Sequence, residues 1–412
     1  MIKSSLSYRG IVTWLICSLF FMYEFLLRTV LGVYQQPISL ELNLTPFSFA
    51  ILSSSVYQLV YSFMQIPVGL LLLHFSFKKT LLLAILICVI ANIGFSLASS
   101  FQAALLFRTL MGLGSSFGFI CLLVAAYHYL PRNNIALYIG LSQFIGTLGP
   151  ILAAGPLHLL SQTSFLHWRN LLIYLAGLGC ILALLVLIII KEKSQTKVLN
   201  LNLDVPFRFF HLKKFLCQKQ VWFIAIFTSF IYFSLEYLSE NECKYFLVNK
   251  GFSENFSTFM ISLCWLSYAI GCPLLGFISD KLKRRKNIIV LSASLALIAL
   301  FSIIYLSLNE TILAFCFAML GLGASGQSIG FVIMAEQCNE NHLGLGLGFN
   351  NAMIGFFAAG LAPLISFILE QSPALLNYQI AFSLMLIALI IALILAQFFI
   401  KETYKPQINH QL

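Results

Sequence analysis

Apolar residues run in twelve long stretches along this chain, near residues 10–32, 47–73, 79–99, 101–126, 135–160, 169–190, 221–247, 256–279, 287–307, 311–335, 344–369 and 376–400, with short polar or basic segments between them. An α-helix rises about 1.5 Å per residue, so about twenty residues cross the roughly 30 Å hydrocarbon core of a bilayer. Each stretch is close to that length, whereas the strands of a membrane barrel are about half as long and alternate polar with apolar positions. Inside lipid every backbone N–H and C=O must be paired within the protein, which leaves the helix as the form these stretches can take. The pattern predicts an all-α membrane protein with 12 transmembrane helices.

The stretches fall into two similar sets. Gly112-Leu-Gly-Ser-Ser returns about half the chain later as Gly321-Leu-Gly-Ala-Ser, and Gly69 with the basic pair Lys78 and Lys79 returns as Gly276 with the cluster Lys281 to Lys286. Gly140-Leu-Ser-Gln-Phe-Ile-Gly likewise returns as Gly348-Phe-Asn-Asn-Ala-Met-Ile-Gly. This self-similarity predicts two pseudo-symmetric six-helix bundles with the working site between them. Residues 1–190 are expected to form the N-terminal bundle, 191–220 a polar linker and 221–412 the C-terminal bundle. In the linker, the basic, amphipathic segment 205–216 suits either a helix lying at the membrane interface or a disordered tether.

Composition agrees with a lipid environment, at 60% hydrophobic and 9% charged residues with a mean hydropathy of +0.94. All of the 24 Lys and Arg except Arg28, Arg108, Arg169, Lys244 and Lys250 gather on one set of helix ends and in the 191–220 loop. The positive-inside rule then places both termini and that loop in the cytoplasm, as expected for a bacterial inner-membrane protein. Anionic headgroups of the bilayer account for the net charge of +10, so no nucleic-acid partner is expected. The first stretch contains Glu24 and Arg28, which argues against a cleaved signal peptide.

The ten cysteines lie mostly within apolar runs and form no C-x-x-C pair, so neither a metal site nor another cofactor is expected. The seven histidines are dispersed without a nucleophile motif, and no phosphate-binding loop is present, so the chain reads as neither an enzyme nor an ATPase. Uphill work would have to draw on an ion gradient, with protons the expected partner.

Ions inside spans are costly, about 3 kcal/mol each on insertion scales, and mark function or a specific pairing. Arg108 lies in the fourth span, and its counterpart in the second set is Phe317, so its charge does not belong to the shared scaffold. It is read as a substrate-binding or proton-coupling residue, with structural pairing as the alternative. Glu24 and Arg28 stand four residues apart in the first span, hence on one face and able to pair. Tyr23 adjoins them. In the seventh span Tyr232, Glu236, Glu240 and Lys244 form a stripe, with Glu236 near the midplane, where desolvation disfavours its charged form. Glu24, Glu236 and Glu240 are therefore the candidate proton-coupling residues, although Glu240 could simply pair with Lys244. Tyr57, Tyr61 and Gln65 share one face of the second span, with Gln58 adjacent, and Gln143, Trp265, Tyr268, Gln327, Asn350 and Asn351 are further intramembrane polar or aromatic positions. With the ions, they are the candidate substrate-binding residues. Such a lining suits a small zwitterionic or multiply hydrogen-bonding solute.

Two six-helix sets, each with a basic G-x-x-x-D-x-x-x-[RK]-[RK] loop after its second helix, resemble the major facilitator superfamily over nearly the whole chain. The second copy, Gly276-Phe-Ile-Ser-Asp280-Lys-Leu-Lys-Arg284-Arg285, fits, whereas the first has Leu73 in place of the acid and Ser76 in place of a glycine. The resemblance implies that Gly69, Lys78, Lys79, Gly276, Asp280, Arg284 and Arg285 latch a cytoplasmic gate, chiefly through Asp280. Arg108-Thr-Leu-Met-Gly112 is similar to the family's R-x-x-x-G signature. Tyr23-Glu24-Phe-Leu-Leu-Arg28 followed by Gln65-Ile-Pro-Val-Gly69 resembles a branch that includes bacterial phagosomal-type nutrient transporters and lysosomal dipeptide transporters. The expectation is a monomeric secondary transporter that moves an amino acid, short peptide or nucleoside, with protons, by alternating access. Proton-driven efflux, on a loose glycine-proline motif at Gly146 to Pro156, and a non-transporting solute receptor are the alternatives.

Overall fold

A bilayer-spanning chain gains little from hiding apolar side chains from lipid, so close helix approach and internal polar bonds must organise it. The computed structural model describes residues 8–45, 48–49, 51–131, 134–157, 167–190, 215–241, 243–338, 343–370 and 375–404. Its principal helices are α1 (Tyr8–Val33), α2 (Val56–His74), α3 (Phe77–Leu97), α4 (Phe101–Tyr129), α5 (Ile135–Leu152), α6 (Trp168–Ile189), α7 (Lys219–Glu240), α8 (Glu254–Leu282), α9 (Lys286–Tyr305), α10 (Glu310–Gln337), α11 (Leu343–Glu370) and α12 (Leu375–Ile394). Among the described residues eleven helical segments are long and apolar enough to cross a membrane. The other principal helix, α2, holds Pro67 and the inward residues Tyr57, Gln58, Tyr61 and Gln65, and it completes the twelve-helix fold.

Several predicted stretches are interrupted, among them the fourth and tenth, where α4 breaks after Ser115 and α10 after Ala324. A π-helical turn, Ile51–Ser55, precedes α2, and another, Ala153–Leu157, follows α5, where Pro150 and Pro156 remove backbone donors. The seventh stretch stops at Glu240, and a separate short helix, Cys243–Asn249, follows it. Most of the predicted interfacial segment, 205–214, lies outside the described residues, while Phe215 packs edge-on against Phe349 of α11 with ring centroids 5.9 Å apart.

The two bundles meet along two crossings, α2 with α11 and α5 with α8, and the repeated glycines stand at both. A Cβ on Gly140 would lie 2.3 Å from the Cys272 carbonyl oxygen, and one on Gly276 would lie 2.4 Å from that of Ala136. At the other crossing the distances are 2.6 Å from Gly69 to the Gly344 oxygen and 2.5 Å from Gly348 to the Gln65 oxygen. Real Cβ atoms do not approach backbone so closely, so glycine is what lets these helices touch. Sequence similarity between the halves thus becomes matched contact across them.

All four glycines lie toward the helix ends that carry Lys78, Lys79 and Lys281 to Lys286, called here the basic end. At the opposite end Glu41, closing the short helix Gln35–Glu41, accepts from Trp168 Nε1 at 3.0 Å and Arg169 Nε at 3.1 Å and pairs with His167 at 2.8 Å. Burial raises the Glu41 pKa, but these bonds and the Arg169 charge outweigh it and hold the carboxyl below its usual range. The α1–α2 connection is thereby tied to the start of α6.

Gly140→Val is expected to destabilise the protein by about 1–3 kcal/mol through overpacking. The measurement is the melting temperature of purified protein in lipid nanodiscs, and an unchanged value would mean the α5–α8 crossing is looser than described.

Candidate functional site

Between the bundles lies a polar cavity with about 540 Å³ of atom-free space, its mouth included, lined from α1, α2, α4, α5, α7, α8, α10 and α11. Glu24, Arg28, Tyr57, Tyr61, Gln143, Tyr232, Glu236, Tyr268, Gln327 and Asn351, all expected from the sequence, line it. Gln58, Phe21, Phe25, Phe119, Ile354 and Gly355 join them. Gln58 borders the α2 polar face and could be anticipated from that position. The aromatic and aliphatic members carry no signal that separates them from ordinary core.

The strongest interaction in the cavity crosses it. Arg28 of α1 forms an ion pair with Glu236 Oε1 of α7, and Gln58 Nε2 donates to the same oxygen at 3.2 Å. The expected local pair within α1 gives way to this one, because a guanidinium four residues from Glu24 can reach across to the opposite bundle. Glu24 Oε1 accepts instead from Tyr61 OH, at 3.4 Å. Asn351 of α11 donates to Tyr61 OH at 3.2 Å and to Gln65 Oε1 at 2.9 Å, while Gln65 Nε2 donates to the Ser116 carbonyl at 3.1 Å. Gln65 therefore stands behind the cavity wall and braces it. In the C-terminal bundle Tyr268 OH donates to Gln327 Oε1, and the rings of Tyr232, Trp265 and Tyr268 pack together at 5.6–6.2 Å.

Besides Gln65, four expected substrate-binding residues do not line the cavity. Tyr23 points to the far side of α1, donating to the Leu175 carbonyl at 3.0 Å and accepting from Asn92 at 2.9 Å. Trp265 is buried against Phe25 and Tyr232 and supports the wall. Asn350 is fully buried one residue from Asn351, and neither of its amide atoms has a hydrogen-bond partner in the described structure. Arg108 is 0% exposed; its guanidinium donates to the carbonyls of Leu27 and Arg28 at 2.9 and 3.0 Å and of Ser53 at 2.5 Å, and lies 4.4 Å from the Tyr57 ring centroid. Its charge is thus spent on α1 and on the π-helical turn before α2, whose irregular backbone frees a carbonyl. These contacts are of the kind the pairing alternative expects, and Arg108 is absent from the cavity lining. The side chain of Glu240 lies outside the described residues, and Lys244, its expected partner, pairs with Glu254 at 2.7 Å.

Below the cavity, rings of Phe119 and Phe331 meet edge-on at 4.8 Å, and the basic end beyond them is closed. Asp280 Oδ2 accepts from the backbone N–H of Leu137 at 3.0 Å, near the first turn of α5. Its other oxygen pairs with Arg285 at 2.7 Å, and Arg285 in turn pairs with Glu336 of α10 at 3.0 Å. Of the two expected arginines only Arg285 is buried in this latch, while Arg284 is exposed. Glu402 caps the start of α9, accepting from the N–H groups of Arg285 and Lys286 at 3.0 and 3.1 Å, and Thr403 bonds Glu336 at 2.5 Å. Lys78 caps the end of α6 through the Leu187 carbonyl at 2.7 Å, and Lys79 is exposed. Among the described residues no group of His, Cys, Asp and Glu could hold a metal ion.

Because three carbonyls hold the planar Arg108 fork, Arg108→Lys is expected to lower the melting temperature by several degrees while solute affinity changes less than twofold. Parallel melting and binding curves check this, and a large affinity loss in a protein of normal stability would return Arg108 to the binding site.

Comparison with known proteins follows the same geometry. A proton:xylose symporter, XylE, bound to 6-bromo-6-deoxy-D-glucose, superposes with a TM-score of 0.75 at 14% identity over 97% of this chain and 97% of that one. The E. coli fucose:proton symporter FucP gives 0.72 at 14% over 94% and 98%, respectively. A bacterial homologue of the human lysosomal transporter Spinster, inward-facing and unoccupied, gives 0.66 at 17% over 95% and 97%. No curated protein matches the chain. The sequence family described as the Major Facilitator Superfamily matches residues 15–241 and 245–411, and the chain belongs to that family.

Proposed function

We propose that this protein is a secondary transporter that takes up a small organic solute, an amino acid, short peptide or nucleoside, together with protons. One observation carries the reading: an ion pair, Arg28–Glu236, spans a polar cavity between two bundles that touch elsewhere through bare glycine backbone. A solute acid entering the cavity would compete with Glu236 for Arg28, and the displaced carboxylate would then need a new counter-charge in low-dielectric surroundings. Binding of solute and proton would thereby be linked without any cofactor. Two of the structural neighbours are proton symporters, which supports the class of activity. The motif Tyr23 to Arg28 with Gln65 to Gly69 favours the nutrient and dipeptide branch of the family.

The protein would sit in a bacterial inner membrane with its basic end and both termini in the cytoplasm, residues 1–190 and 221–412 rocking about the cavity as two bodies. In the described conformation the cytoplasmic side is then shut. Asp280 holds that side from the C-terminal bundle, and the matching position in the other bundle is Leu73, so the latch is one-sided.

Glu236→Gln is expected to abolish solute accumulation driven by a pH gradient in proteoliposomes while counterflow exchange persists; accumulation equal to wild type would remove Glu236 from coupling. Asp280→Asn is expected to raise alkylation of Cys272, buried beneath the α5–α8 crossing, by severalfold, as mapped by mass spectrometry. Lys79→Ala should leave that labelling unchanged, and equal labelling of all three proteins would mean Asp280 does not hold the gate.

A further inference from the structure

Once Arg28 is engaged by Glu236, the cavity still contains a second carboxylate. Glu24 is 2% exposed and lines the cavity; one of its oxygens has only the long bond from Tyr61, and the other, Oε2, has no hydrogen-bond partner in the described structure. Among the described lining residues there are two carboxylates and one guanidinium. Arg108 does not line the cavity; its terminal nitrogens donate to the carbonyls of Leu27, Arg28 and Ser53.

A glycine and the end of a half-helix shape the place where Glu24 sits. Helix α4 breaks after Ser115, and its second half, Gly118–Tyr129, begins against the Glu24 side chain. A Cβ on Gly118 would lie 2.8 Å from the Glu24 carboxyl carbon and 3.1 Å from each oxygen, so glycine makes the space the group occupies. The N-terminal end of a half-helix favours negative charge. Rings of Phe21, Phe119, Tyr57 and Tyr61 surround the same part of the cavity, with Phe21 and Phe119 4.8 Å apart and the two tyrosines stacked at 6.1 Å. Aromatic faces beside a desolvated anion attract an organic ammonium through both of its properties, charge and apolar bulk.

We infer that Glu24 is the recognition site for the ammonium group of an amine-bearing substrate, an inference that rests on the transporter reading and narrows its substrate class. Arg28, one turn further along α1, receives the carboxylate of the same molecule. Residues at this spacing lie about 5–6 Å apart on a helix surface, a separation that a single amino acid or short peptide bridges. Nucleosides and sugars, which carry no ammonium at neutral pH, would leave Glu24 buried without a counter-ion and are excluded on that ground.

The test uses the full-length protein in lipid nanodiscs and measures binding of the common amino acids, dialanine and dileucine, their N-acetylated counterparts, uridine, thymidine and glucose. Amine-bearing compounds are expected to bind, with N-acetylation weakening binding at least tenfold. Glu24→Gln should erase that difference, and Glu24→Asp should keep part of it. Gly118→Ala, which intrudes on the carboxyl group, supplies a second variant and should weaken the amines more than their acetylated forms. The inference is overturned if acetylated forms bind as well as amines, or if uridine, thymidine or glucose binds and no amine does. It is also overturned if Glu24→Gln retains the preference for amines and loses only accumulation driven by a pH gradient, which would make Glu24 a proton site. Glu24-dependent amine binding without any counterflow would instead sink the transporter reading and leave the ammonium site standing.

Discussion

Charge in hydrocarbon is expensive, and the arrangement of this protein follows from how each buried ion is answered. An ion taken out of water must recover its solvation from a counter-ion, from backbone dipoles or from trapped water. Arg108 takes the second route, with three carbonyls at 2.5–3.0 Å, and needs no anion. Arg28 and Glu236 take the first, and because they come from different bundles their pairing joins the two halves through the cavity itself. Any solute that offers either group a better partner also loosens that join. Under the proposed function, one exchange of partners would couple binding to conformational change.

The glycine contacts are the complement of that electrostatic tie. Lipid tails are as apolar as leucine side chains, so the helices of the two bundles gain from meeting only where backbones come close enough for dispersion and carbonyl dipoles to act. Gly69, Gly140, Gly276 and Gly348 provide that approach at two crossings and put the tight part of the interface toward the basic end. A contact of bare backbones has no interlocking side chains to withdraw. It can separate and re-form as a unit, which suits a surface that must open during each cycle.

Much of this was legible in the chain because lipid imposes strict rules on length and composition. The twelve helices, the duplication and the placement of polar groups in the spans all follow from counting residues against the thickness of a bilayer. Which way a side chain turns is less accessible, since neighbours on a helix differ by about 100° and the pattern does not fix the rotation of α1 among its neighbours. Tyr23 and Glu24 are adjacent in sequence, yet one bonds the Leu175 carbonyl at the rear and the other lines the cavity. Asn350 and Asn351 divide in the same way. The fate of Arg108 was hidden for a further reason: its partners are backbone carbonyls, one of them exposed by a π-helical turn, and carbonyls leave no trace in the residue pattern.

The asymmetry of the latch has the same origin in local chemistry. In the C-terminal bundle Asp280 both accepts from the Leu137 N–H and holds Arg285, which is clamped again by Glu336, whose own second oxygen is bonded by Thr403. Burial lowers the tendency of Arg285 to keep its proton, but its two carboxylate partners outweigh that and raise its pKa, so Arg285 stays charged. Glu402 ties the same cluster to the chain beyond α12 through the first N–H groups of α9. Leu73 stands at the position matching Asp280 in the other bundle, and the close contact there is that of Gly69 with Gly344. One side of the gate is therefore held by charge and the other by packing. The two crossings are thus held by different means, Asp280 with its partners at α5–α8 and glycine packing at α2–α11, so they need not release together.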